Sequence, residues 1–185
     1  MATLAVGGTT VFDGAALQSG VTGTLGSGIT FPAGHVLQIQ HYEVTETNSL
    51  TTTYVNIWEN SITLKSGSSD IYINMTFSWN MAASASFGVK IYRNTSATVT
   101  TSHTAVWTKG VTSGAGATAY TWDAWSGGGG SGVSSIIAKD TITGRSAGDV
   151  LYYGFFGQEG AGAVVLPAAD TVPGFMAMQL TEVAK

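Results

Sequence analysis

The alternation of apolar and polar residues is most regular between Asp70 and Met81. All six odd positions from Ile71 to Met81 are large and apolar, whereas the even positions are polar except for the amphipathic Tyr72. Successive side chains of a β-strand point to opposite faces of its sheet, so this pattern collects the apolar groups on one face. The sequence therefore predicts a long antiparallel strand with one face in the core.

Shorter segments with the same two-residue period follow one another at spacings of about ten residues. Glu59–Asn60 is expected to break one of them, and Ser126–Gly132 and Gly157–Gly162 are expected to form a loop and a turn. Roughly eight to ten strands without a convincing helix favour an all-β fold, a jelly-roll-like antiparallel β-sandwich. The further strands are expected at His35–Thr45, Thr51–Trp58 with its continuation at Ser61–Lys65, Ser86–Arg93, Thr98–Lys109, Ala117–Trp125, Val133–Thr143, Asp149–Phe156, Ala163–Leu166 and Phe175–Val183.

The hydrophobic core is expected on the apolar faces of two of these strands. The odd positions of the long strand and of the strand at 86–93 are both apolar, so these two faces should be buried inside the sandwich. The expected core residues are Ile71, Ile73, Met75, Phe77, Trp79, Phe87, Val89 and Ile91.

Residues 1–34 differ from the rest of the chain, because they are rich in Gly, Thr and Ala and carry Asp13 as their single charged residue. Their glycines are too frequent for a stable helix. A disordered tail usually has many charges and few apolar residues, and this segment has the opposite composition. We therefore expect an extended arm at 1–34 that lies along another surface, such as a neighbouring subunit, and a sandwich domain at 35–185. The expected apolar anchors of the arm are Leu4, Val6, Val11, Phe12, Leu17, Val21 and Leu25.

The composition excludes several classes of partner and chemistry. Charged residues make up 10% of the chain, against roughly 25% in an ordinary soluble domain. The seven Lys and Arg residues are dispersed, so no basic stripe for nucleic acid is expected. No apolar run approaches the ~18 residues of a membrane span. The chain has no cysteine, which excludes disulfides, Cys-ligated zinc and thiol catalysis. Because little charge opposes association, we expect burial in an assembly, as a homotrimer.

Residues that carry chemistry are sparse. His35 and His41 share a strand face but lie about 20 Å apart at the rise of a strand, so both, like His103, are interpreted as surface or interface residues. No Asp-x-Asp-x-Asp calcium loop is present, and the run Gly127–Gly130 lacks the Lys-Ser/Thr ending of a phosphate loop. No catalytic, cofactor-binding or metal-binding residue is therefore expected. Two alternatives remain. One is a catalytic carboxylate pair assembled from distant loops, and the other is a sugar-binding surface on which the aromatic side chains of strands stack.

The stretches Met1–Val6, Phe31–Ile39 and Phe87–Thr95 resemble small virion structural proteins of aquatic tailed bacteriophages. Such chains commonly pair a short Gly/Thr-rich N-terminal segment with a compact β-sandwich. The resemblance spans most of the chain as a pattern and specifies no active site. It implies a place on the surface of the virion, after synthesis in the host cytoplasm. The chain is shorter than a usual tail fibre, which has further shaft or tip segments.

Three functions follow as hypotheses. The first is a non-enzymatic capsid decoration (cement) protein, a trimer that contacts the major capsid protein or other virion proteins and whose arm clamps neighbouring subunits. The second is a tail or head fibre, or receptor-binding protein, that contacts host surface glycans. The third is a carbohydrate-active enzyme on a sandwich scaffold, which requires a converging carboxylate pair. None of them calls for a cofactor, nucleic acid or a membrane.

Overall fold

The computed structural model describes residues 3–6, 9–13, 16–17, 32–82, 85–108, 130–167 and 174–185. The chain divides into two compact units, Met1–Phe31 and Pro32–Lys185. All regular secondary structure among the described residues is β-strand. In chain order the strands are β1 (Thr3–Val6), β2 (Thr9–Asp13), β3 (Ala16–Leu17), β4 (Val36–Val44), β5 (Asn48–Ser49), β6 (Val55–Thr63), β7 (Ser69–Met81), β8 (Ser86–Asn94), β9 (Thr104–Thr108), β10 (Gly130–Thr141), β11 (Val150–Ala161), β12 (Val164–Leu166) and β13 (Met176–Ala184).

The first unit contains a small antiparallel sheet in the order β1-β2-β3. Strand β1 pairs with β2 from Thr3 opposite Asp13 to Val6 opposite Thr9, with an irregularity after Leu4. Some backbone groups of the glycine-rich arm therefore form hydrogen bonds with other residues of the arm. That the arm lies along a neighbouring subunit stays a prediction.

The second unit is a sandwich of two antiparallel sheets. The larger sheet has six strands in the order β4-β13-β7-β12-β5, and β10 pairs with the other edge of β7. The smaller sheet has the order β6-β11-β8-β9. The predicted all-β sandwich is confirmed, whereas the jelly-roll arrangement stays a prediction.

Strand β7 is central to the larger sheet, as its regular pattern predicted. It is 13 residues long and pairs with β10 from Asp70 to Met81 and with β13 from Ser69 to Phe77. Its side chains at 71, 73, 75 and 77 have no exposed surface. The predicted long strand with one buried face is therefore correct.

The expected core residues lie between the two sheets, with one exception. The Phe77 ring stands edge-on to Phe87, with centroids 6.4 Å apart, and lies 5.1 Å from Phe155 of the smaller sheet. Only Trp79 is partly exposed: it packs on Phe87 at the rim of the core, with ring centroids 6.0 Å apart. The residues that the structure buries are Ile71, Ile73, Met75, Phe77, Phe87, Val89 and Ile91.

The predicted break at Glu59–Asn60 is wrong, and the predicted loop at 126–132 and turn at 157–162 are wrong in the parts that the structure describes as strand. Glu59–Asn60 lies inside β6, where Glu59 pairs with Gly154 and Asn60 with Tyr153 of β11 in unbroken register. Gly130–Gly132 belongs to β10 and Gly157–Ala161 to β11. A Cβ at Gly157 would lie 2.6 Å from the Ile57 side chain, so the glycine serves close packing and not a turn. The expected strand at Ala117–Trp125 lies outside the described residues.

Candidate interaction surface

The outward side of the larger sheet, here called the outer face, is formed by alternate residues of β4, β13, β7 and β10. The inward residues of these strands point into the core, so the outer face is the side that faces away from the smaller sheet. The registers arrange its residues in three rows across the sheet: Glu43, Ala177, Thr76 and Ser135; His41, Gln179, Asn74 and Ile137; and Ile39, Thr181, Tyr72 and Lys139.

Large hydrophobic side chains are exposed on the outer face. Ile137 is 75% exposed, Val133 57%, Ile39 55% and Tyr72 41%. Short polar side chains surround them, among them Thr76, whose hydroxyl lies 3.0 Å from that of Ser135. Single exposed hydrophobics are ordinary, but four on one sheet face make a candidate contact surface.

Two pairs of polar side chains are in direct contact on the outer face. His41 Nε2 lies 3.0 Å from Glu43 Oε1, and Lys139 Nζ lies 2.6 Å from Asp70 Oδ2. Burial alone would raise the pKa of Asp70, but hydrogen bonds from Lys139 and Thr141, with the charges of Lys139 and Lys185, outweigh it and hold the pKa below its usual value. The hydrogen bond to Asp70 in turn raises the pKa of Lys139. The charges of Lys139 and Asp70 therefore compensate each other, whereas Glu43 keeps its charge beside a neutral His41.

Both edges of the larger sheet lack a second strand neighbour among the described residues. Strand β10 pairs only with β7, and β4 pairs only with β13. The outer edge of β10 runs for 12 residues. The backbone N–H and C=O groups of such an edge are able to bind an added strand.

A buried carboxylate joins the larger sheet to the loop before β7. Glu182 in β13 has no exposed surface. It accepts hydrogen bonds from the backbone N–H groups of Lys65 at 2.9 Å and Ser66 at 3.0 Å, and from the Ser69 hydroxyl at 3.0 Å. Sequence reasoning missed this role, although Glu182 continues the two-residue apolar period of β13.

A second buried carboxylate joins the two sheets. Asp140 in β10 accepts hydrogen bonds from Arg93 in β8 at 2.7 and 2.8 Å and from the Tyr153 hydroxyl in β11 at 2.8 Å. Burial raises the pKa of Tyr153 well above its usual value, and the negative charge of Asp140 adds to the shift. No local pattern in the sequence indicated this cluster.

The expected arm anchors lie partly in the first unit's strands. Leu4 and Val6 are in β1, Val11 and Phe12 are in β2, and Leu17 is in β3. The anchors at 21 and 25 lie outside the described residues. The partner that these anchors would contact stays a prediction.

The three histidines lie in different parts of the fold. His41 belongs to the outer face, whereas His103 lies in the turn before β9 and His35 precedes β4. Among the residues that the structure describes, no group of three or more His, Cys, Asp or Glu side chains is placed to hold a metal ion. The described part of the chain also contains no helix long and apolar enough to cross a membrane.

No protein-family model matches the chain. No curated protein matches it either. Its function has to be inferred from its own sequence and geometry.

Proposed function

We propose that this protein is a non-enzymatic capsid decoration protein, which binds the head of a tailed bacteriophage and stabilises it as a trimer. The sequence resemblance to small virion proteins supports a place on the particle. The observation that carries the proposal is the outer face, where Ile39, Tyr72, Val133 and Ile137 are exposed on one side of the sheet and Lys139 pairs with Asp70.

The occupant of the outer face that we propose is a second copy of this chain. Because Lys139 and Asp70 pair within the face, Glu43 is the charge that two copies would have to keep apart at the contact. Covering the exposed aliphatic side chains would contribute roughly 25 cal/mol per Å² of apolar surface removed from water.

Three of the eleven Asp and Glu residues of the chain are held in structural hydrogen bonds, which speaks against a catalytic role for those three. A glycosidase needs two carboxyl groups that are free to meet a substrate. Asp140 and Glu182 are instead buried in structural hydrogen bonds, and Glu59 accepts the backbone N–H groups of Thr98 and Val99. These three carboxylates already have structural roles.

The oligomeric state tests the outer face. Light scattering at micromolar concentration should report a trimer for the full chain. Ile137→Glu should shift it towards monomer, because a carboxylate would be buried in an apolar contact. Ala105→Glu is the matched control, since it adds the same charge at an exposed strand position of the smaller sheet, and it should stay trimeric. A stable monomer with the arm intact, or a trimer in Ile137→Glu, would overturn the proposed contact.

The position on the particle tests the role itself. Labelled protein is added to particles stripped of the native protein and imaged by electron cryomicroscopy. Labels distributed over the whole head would support decoration. Labels confined to the tail tip would favour a receptor-binding fibre, and unlabelled particles would reject any virion role.

A further inference from the structure

A polar pocket of about 270 Å³ lies beside the end of β8. Arg93 and Asn94 close that strand, Ser102–Thr104 lead into β9, and Arg145 comes from the loop between β10 and β11. Two of the seven Lys and Arg residues of the chain thus line one pocket, with no described Asp or Glu among its lining residues. Asp140 compensates the charge of Arg93, so Arg145 supplies the unpaired positive charge of the pocket.

The basic side chains of the pocket differ in their hydrogen-bond and ion-pair partners. Asp140 fixes Arg93 with contacts of 2.7 and 2.8 Å. His103 Nδ1 accepts the backbone N–H of Thr100 at 2.8 Å, so the neutral ring carries its proton on Nε2. The Arg145 side chain has no hydrogen-bond or ion-pair partner among the described residues. Its guanidinium is therefore the charge available to a ligand.

Contacts elsewhere in the sandwich hold the segments next to the pocket. In the loop between β8 and β9, Thr98 has a φ of 69°, an uncommon conformation for a β-branched residue. The Glu59 carboxylate holds this loop through the N–H groups of Thr98 at 3.0 Å and Val99 at 2.6 Å. Gly67 packs so closely on the Arg145 carbonyl that a Cβ at 67 would lie 2.2 Å from the oxygen.

We propose that this pocket binds an acidic sugar residue of a surface polysaccharide. The guanidinium of Arg145 suits a carboxylate, which it can bind through two parallel hydrogen bonds. The hydroxyls of Ser102 and Thr104 and the Nε2–H of His103 suit sugar hydroxyls. Drug-sized ligands occupy pockets of roughly 300–1,000 Å³, so a pocket of about 270 Å³ fits a monosaccharide unit. The inference goes beyond a structural role and does not depend on the trimer or on capsid binding.

Saturation-transfer NMR on the full chain tests the pocket with free glucuronate, with glucose as the neutral probe and inorganic phosphate as the competitor. Glucuronate should bind saturably, glucose at least tenfold more weakly, and phosphate should compete only at higher concentration. Arg145→Gln should weaken glucuronate binding about tenfold or more, because a charge-assisted pair is lost. Ser102→Trp should block binding by filling the pocket without changing its charge.

Lys65→Gln is the matched control, because it removes one exposed positive charge outside the pocket. It should leave glucuronate binding unchanged. Undiminished binding in Arg145→Gln would overturn the site. Equal affinity for glucose would overturn the role of the charge, and equal affinity for phosphate would overturn the sugar as ligand. Light scattering of Arg145→Gln should still show a trimer, so failure of this site is distinguishable from failure of the proposed function.

Discussion

The Arg93 guanidinium donates through Nη1 to both carboxylate oxygens of Asp140, at 2.8 and 2.7 Å. Arg93 lies in β8 of the smaller sheet and Asp140 in β10 of the larger one, so the ion pair crosses the sandwich. The two side chains are only 17% and 9% exposed, and solvent therefore screens the pair little. The pair ties β10, an edge strand that contributes Val133 and Ile137 to the outer face, to the opposite sheet.

Breaking this pair from one side should be costly. Asp140→Asn or Arg93→Met should each lower the free energy of unfolding by about 3–5 kcal/mol, because each leaves a partly buried charge without its partner. The double variant Arg93→Met/Asp140→Asn should lose less than the sum of the single losses. A double-mutant cycle from urea titrations measures the coupling, and additive losses would show that the two side chains do not interact.

The buried side of β7 should carry more stability than its outer side. Phe77→Ala should cost about 3–5 kcal/mol, because it empties a site between Phe87 and Phe155. Thr76→Ala, on the outer face, should cost much less. Urea titrations of both variants in the Ile137→Glu background measure these losses without the contribution of subunit contacts. Equal losses for Phe77→Ala and Thr76→Ala would contradict the assignment of the core.

The left-handed backbone at Thr98 should be relieved by asparagine. Thr98→Asn should raise the free energy of unfolding by about 0.5–1 kcal/mol, because Asn tolerates this conformation better than a β-branched residue. The backbone hydrogen bond to Glu59 is retained in the variant. Thr98→Val is the control, since it keeps the β-branch and should show no gain. Equal stability of the Asn and Val variants would contradict strain at this position.

Asp70 should make stability depend on pH in the acid range. Folding lowers its pKa from the usual value of 3.8, so the unfolded chain binds this proton more tightly than the folded one. Its contribution is therefore complete above the unfolded pKa and is lost as the pH falls through the lowered folded pKa. The advantage of the wild type over Asp70→Asn should be constant near neutral pH and shrink at acidic pH. Chemical denaturation at several pH values checks this, and an unchanging difference would contradict it.

The arm should be dispensable for folding and required for assembly. The sandwich is a separate unit that begins at Pro32, and hydrogen bonds of 2.8 Å join Gly34 and His35 to Ala184. Deleting residues 1–30 should therefore leave a soluble, folded sandwich. We expect the deleted protein to lose its trimer and its occupancy on stripped particles, as measured by light scattering and particle binding. Undiminished occupancy would move the attachment site to the sandwich.

The two-residue period of the sequence was sufficient for the fold class and for the buried face of β7. The reason is local: every second side chain of a half-buried strand must be apolar, and this shows in the sequence without reference to its partners. The same reasoning failed at Glu59–Asn60 and at Gly157, where pairing and packing with neighbouring strands override local preference. Alternation in β4 put Leu37 and Ile39 on one face, but it did not show that Ile39 would be exposed.

Only the tertiary structure determined which distant residues contact one another. Asp140 meets Arg93 across 47 residues of chain, and Glu182 meets the backbone of Lys65 across 117. The pocket likewise brings together Arg93 at the end of β8 and Arg145 in the loop between β10 and β11. Alternation records which side of a strand is buried, but long-range partners depend on strand order and register. These follow from the packing of the whole sandwich and leave no local pattern.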